Sequence, residues 1–80
     1  MIIQIIDCES GGDPTQAGDG GLAKGIVQYH EETFYRHAKK AGIENPEWLN
    51  SQHQLRGLRY CLTEGNCGKE WSCYRKLYAY

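Results

Sequence analysis

Cys8, Cys61, Cys67 and Cys73 set the terms on which an 80-residue chain can fold. A chain this short buries little apolar surface against its chain entropy, and covalent links make up the difference. Four cysteines allow three disulfide pairings, and their spacing leaves all three open. Zinc is the rival use. The last three cysteines read C-x5-C-x5-C, without the short knuckle of a zinc site, and Cys8 lies far away. His30, His37 and His53 form no closely spaced histidine pair. Disulfides are therefore expected, with no metal and no cofactor. They imply an oxidising destination, secreted or periplasmic or at the cell wall.

The remaining composition narrows the class. Apolar residues make up 40% and charged residues 24%, as in a globular chain, and the length gives one domain, residues 1–80. The net charge of −1 argues against a nucleic-acid partner. No apolar run approaches the ~20 residues of a bilayer span, so membrane insertion is not expected. A basic leader and a small-residue cleavage site are both missing, so we expect Met1 to begin a trimmed domain or one exported by another route. The charge is uneven: residues 1–35 hold six acids and one base, residues 36–80 eight bases and four acids. Two solvated faces are the plain explanation. A basic surface meeting an anionic polymer is the sharper one.

Periodicity predicts a mainly helical protein. Ile2, Ile5, Ile6 and Glu9 fall on one helical stripe, and the alternation of a half-buried strand is absent. Glu9 thus continues an apolar stripe at a helix end. Six of the ten glycines lie in residues 10–25, which with Asp13-Pro14 predicts a loop or a minimal hairpin. This stretch matches neither a phosphate-binding loop nor a calcium loop. Short strand pieces are expected around it and at Gly25-Ile26-Val27-Gln28. Phe34, Ala38 and Ala41 predict a helix over 30–41, closed by Gly42. Asn45-Pro46 reads as a cap opening a short turn, and Ser51-x-x-Gln54 as a capping box for a helix to about Glu64. A short last helix should hold Trp71, Tyr74, Leu77 and Tyr78.

One carboxyl stands out chemically. A carboxylic acid becomes a useful proton donor when burial raises its pKa toward neutrality. Glu9 has the Ile stripe on one side and open glycine loop on the other. An exposed last-turn Glu is the bland alternative. The string Glu9-Ser10-Gly11-Gly12-x-Pro14 resembles the E-S-G-x-x-P signature of the soluble lytic transglycosylase and goose-type lysozyme superfamily. Gly25-Ile26-Val27-Gln28-Tyr29, followed by Thr33-Phe34, is similar to that family's second motif. Trp71-Ser72-Cys73-Tyr74 is similar, in compressed form, to the ending of small secreted members. These members also carry a cysteine just before the Glu-Ser pair.

The resemblance implies a small, disulfide-stapled, α+β lysozyme-like fold. It implies cleavage of the β-1,4 bond between N-acetylmuramic acid and N-acetylglucosamine, with peptidoglycan glycan strands as partner and the chain acting as a monomer. Glu9 would be the catalytic acid/base, supported by Ser10. Gly25 would let the chain approach the sugar, Gln28 would hydrogen-bond it, and Tyr29 would wall the cleft or fill the core. Hydrolysis needs a second carboxylate, for which Asp19 is the candidate. A lytic transglycosylase needs none, because the sugar's own C6 hydroxyl attacks, and this single-Glu route is slightly favoured. The family's longer leading helix and its A-Y-N-A-G motif are absent, which leaves Tyr60 or Tyr74 to clamp substrate. The small members suggest the pairs Cys8–Cys73 and Cys61–Cys67. A non-catalytic peptidoglycan-binding module is the alternative, since the aromatics, Tyr80 among them, suit sugar stacking in either case.

Overall fold

Helix α1 spans Ile2–Ser10 in a computed structural model that describes residues 1–78, leaving Tyr80 outside the described residues. Its β-branched stripe is tolerated because the stripe is where the helix packs: Ile5 is fully buried, Ile2 and Ile6 are half-buried, and Ile3 on the opposite side is exposed. The chain leaves the helix at Gly11, whose N–H donates to the Asp7 carbonyl at 3.0 Å. Asp13 then closes a turn, its Oδ1 accepting from the Thr15 N–H and hydroxyl at 2.9 and 2.7 Å.

Three two-residue strands follow: β1 Ala17–Gly18, β2 Ala23–Lys24 and β3 Tyr29–His30. They form an antiparallel sheet in the order β1-β2-β3, with Ala17 opposite Lys24 and Ala23 opposite His30. The minimal hairpin is thus extended by one strand. Residues 25–28, expected as a strand piece, are instead the turn between β2 and β3. Gly25 and Gln28 take φ of 94° and 56°, which breaks any extended run.

Such short strands are not stable by themselves. Side chains from four other elements hold this turn by its backbone. Ser10 Oγ donates to the Ile26 carbonyl at 2.6 Å. The Trp71 and Trp48 indoles each donate at 2.9 Å, to Val27 O and Tyr29 O. Gln54 accepts from the Val27 N–H at 3.1 Å and donates to Lys24 O at 3.0 Å and Trp48 O at 2.7 Å. Each polar group of a buried turn needs such a partner. Gly25 has no Cβ because one would overlap the Gln54 amide.

The other helices are α2 Glu31–Ala41, α3 Ser51–Thr63 and α4 Ser72–Tyr78, with a 3-10 turn at Gly68–Glu70. Gly42 ends α2 as expected, with the Ile43 N–H reaching back to Ala38 O at 3.0 Å. The cap of α3 is Asn50, whose Oδ1 accepts from the His53 N–H at 3.1 Å. Ser51 and Gln54 form no capping box, because Gln54 is fully buried under the turn. Asn45, with φ of 47°, caps no helix, but the short turn expected after it is present at Trp48-Leu49, closed by the Asn50 N–H on Glu47 O at 3.0 Å. The core gathers Ile5, Val27, Phe34, Ala38, Leu58 and Trp71 around Tyr29. The Tyr29 ring meets Phe34 and Trp71 edge-on, centroids 5.3 and 5.0 Å apart. Gly57 inside α3 is the close approach that admits this ring, since a Cβ there would overlap the Tyr29 hydroxyl.

Two disulfides join Cys8 of α1 to Cys73 of α4, and Cys61 of α3 to Cys67. This is the pairing that the resemblance suggests, and it consumes the thiolates that a zinc site would need. No helix among the described residues is long and apolar enough to cross a membrane.

Opening Cys8–Cys73, which closes a 65-residue separation, should cost about 4 kcal/mol by chain entropy. Replacing Cys8 and Cys73 together by Ser should lower the melting temperature by roughly 15–30 °C. An unchanged calorimetric trace would show that the link carries no such stability. Gln54→Leu keeps the volume but strips the Val27 N–H of its acceptor and two carbonyls of their donor. It should cost about 2–4 kcal/mol in urea denaturation, from ~1–3 kcal/mol per buried unpaired group.

Candidate active site

Glu9 occupies the end of α1 because the helix stripe carries it there, and the Cys8–Cys73 link on the preceding residue presses that end against α4. Its Oε2 accepts the Cys73 N–H at 3.2 Å, one of the N–H groups that the first turn of α4 leaves without a helical acceptor. The carboxyl is half-buried. Burial pushes its pKa above the ordinary value and outweighs the Cys73 N–H and the nearby Arg75 guanidinium, which both pull it down.

Glu9 opens onto a cleft of about 520 Å³, also lined by Asp19, Gln28, Tyr29, His37 and Glu70. Both candidate acids from the sequence therefore face one space. Asp19, at the start of a glycine-rich 3-10 turn, is tied to His30 on β3, with Nε2 to Oδ2 at 2.9 Å, and two-thirds of its side chain is exposed. Gln28 uses its amide N–H groups on the Gln16 and Gly25 carbonyls, both at 2.9 Å. Its remaining acceptor, Oε1, lies against Gly18, where a Cβ would collide with it.

Other expected site residues have different tasks. Ser10 is buried and does not line the cleft; besides donating to Ile26 O, its Oγ accepts the Gly12 N–H at 3.2 Å. Gly25 also lies outside the cleft lining, and what approaches it is Gln54, not open space. Tyr29 is a core residue with 2% exposure that reaches the cleft only from below. Burial first, then the Glu70 charge, pushes its hydroxyl pKa far up, so it stays a neutral donor. Tyr60 sits away from Glu9, in a shallow pocket with Arg56 and Arg59. Tyr74 packs on α4 beside Tyr78, centroids 5.6 Å apart, and does not line the cleft.

Two cleft residues escape the sequence reading. His37 is 1% exposed, with Nδ1 2.9 Å from the Tyr29 hydroxyl and Nε2 3.4 Å from Glu70 Oε2. A carboxylate only accepts, so the ring proton belongs on Nε2 and Tyr29 donates to Nδ1. Burial lowers the His37 pKa despite Glu70, keeping the ring neutral. Glu70 also takes the Arg36 Nη2 at 3.0 Å. Partial desolvation alone would raise its pKa, but Arg36 and His37 outweigh it and hold the carboxyl ionised. His37 carried one sequence signal, because it shares the stripe of Phe34, Ala38 and Ala41.

His37 Nδ1 and the sulfurs of Cys61 and Cys67 lie within 4.8 Å of one another, but the sulfurs are bonded as a disulfide. Neither protein-family models, nor curated proteins, nor solved structures return a match to this chain.

The raised pKa of Glu9 makes a stability prediction. Its contribution is fully present below the pKa of the unfolded chain and is lost as pH rises through that value toward the folded one. Glu9→Gln keeps the acceptor for Cys73 and removes the charge. The variant should melt higher than wild type at pH 7 and equal to it at pH 3. Equal melting at both values would mean that the carboxyl is not desolvated.

Proposed function

We propose that the chain is a peptidoglycan-cleaving muramidase in which Glu9 is the general acid/base at the β-1,4 bond between N-acetylmuramic acid and N-acetylglucosamine. The observation that carries this is a half-buried carboxyl, its proton held to higher pH, on the wall of a cleft sized for a small ligand. Glu9 gives its proton to the glycosidic oxygen as the bond to C1 breaks. The carboxylate left behind then assists attack at C1, by water in a lysozyme or by the sugar's C6 hydroxyl in a lytic transglycosylase. The motifs around Glu9 and Gln28 support the substrate class by resemblance. The Gln28 amide ties the residue before β1 to the turn between β2 and β3, bracing the backbone along the cleft beside the acid. Two disulfides suit a protein that works outside the reducing cytosol, where peptidoglycan lies.

The test is clearing of purified cell walls. Wild type should clear them, and Glu9→Gln should lose about 10²–10⁴-fold in rate while still binding the glycan in a pull-down. Equal clearing by both removes Glu9 from the chemistry. Glycan capture without clearing by either identifies a binding module. Mass spectrometry of the released fragments separates the two routes, because anhydro ends are one water lighter than reducing ends.

A further inference from the structure

We propose that Glu70 is the second carboxylate of this cleft, the general base that activates the attacking water while Glu9 protonates the leaving oxygen. This rests on the muramidase reading, leaves Glu9 as the acid, gives the base role to Glu70, and so adds the reaction type, hydrolysis with inversion.

Glu70 and Glu9 line the same cleft although 61 positions separate them in the chain. They meet at one short stretch: Glu70 ends the 3-10 turn, and the Cys73 N–H that holds Glu9 lies three residues on. Three residues span at most about 11 Å of backbone. Activation of a water between them requires the roughly 6.5–9.5 Å spacing of an inverting pair. Both Glu70 oxygens are held, one by Arg36 at 3.0 Å and the other by His37 at 3.4 Å. Each oxygen keeps lone-pair capacity for a water. His37 is itself fixed by the buried Tyr29 hydroxyl, so Tyr29, His37 and Arg36 act as positioning residues for this base.

The two environments divide the roles. Glu9 sits at the end of an isoleucine stripe, where a proton is kept. Glu70 sits between a guanidinium and an imidazole N–H, where a negative charge is kept. Pairs of acids driven apart in this way mark donor and base. Asp19 suits the base less well, because it is more exposed, carried by a glycine-rich turn and engaged by His30. The step balances. Glu9 transfers its proton to the glycosidic oxygen, the C1–O bond breaks, and the water oxygen bonds to C1. The proton of that water passes to Glu70 and returns to Glu9 through solvent.

The experiment uses purified peptidoglycan with wild type, Glu70→Gln, and Glu70→Ala with and without sodium azide. Wild type should release reducing ends. Both variants should lose about 10²–10⁴-fold in kcat with KM unchanged, and Glu70→Gln, which keeps an acceptor for Arg36 and His37, should melt close to wild type. Azide should restore turnover of Glu70→Ala by attacking C1 unaided, giving a glycosyl azide of the opposite anomeric configuration. If Glu70→Ala does not fold, the shape-preserving Gln variant decides by its kcat. Wild-type turnover in Glu70→Gln, anhydro ends from wild type, or a loss that azide does not restore overturns the assignment. In those cases Glu9→Gln still abolishes clearing and the muramidase reading stands. A wild type that clears nothing overturns both.

Discussion

The buried amide of Gln54 is the contact on which the site side of the molecule depends. It accepts from one backbone group of the 25–28 turn and donates to the Lys24 carbonyl just before it and to the Trp48 carbonyl of the neighbouring loop. An ordinary sheet would satisfy those groups with a neighbouring strand. Here the strands are two residues long and cannot. The chain substitutes side chains from α1, α3, the loop at Trp48 and the segment at Trp71. The outcome is a turn fixed from several directions, and Gln28 and Tyr29 leave it at fixed angles into the cleft and the core. No buried side-chain nitrogen or oxygen among the described residues lacks a partner, which is what lets so small a core carry Gln54, His37 and Ser10.

The second constraint is covalent. Holding a carboxyl half out of water costs stability, and an 80-residue chain has little to spare. Cys8–Cys73 offsets that cost at the place where it arises, because Cys8 adjoins Glu9 and Cys73 supplies the N–H that Glu9 accepts. A disulfide elsewhere would stabilise the fold as well but would leave the end of α1 free to turn the carboxyl toward solvent. Cross-link and acid are best read as one device.

Much of this was legible in the sequence and part was not, for definable reasons. The helices were legible because their apolar residues repeat at 3.6 positions, and the Glu9 stripe placed a carboxyl at a helix end correctly. The sheet was legible only as the minimal hairpin that the glycine loop suggests; its third strand was not, because two-residue strands leave no alternation to read. Ser51-x-x-Gln54 has the letters of a capping box, but burial of Gln54 under the turn outweighs a surface cap, and Asn50 takes the task. Gly25 signalled a close approach, and sequence alone could not say that the neighbour was Gln54. Glu70 was invisible as a cleft residue because its place depends on α4 folding back against α1, a contact between the two ends of the chain.

The cleft keeps its acids distinct by giving each a different neighbour. Glu9 has backbone and apolar surface, Asp19 has His30, and Glu70 has Arg36 and His37. Three carboxylates in one unpartnered space would repel, and their protons would be shared among them. Separate partners prevent this, so a proton on one side of the groove and a charge on the other can persist at the same pH. Arg36 on α2 is the cation beside Glu70, and the neutral His37 ring next to it donates its Nε2–H to the same carboxyl.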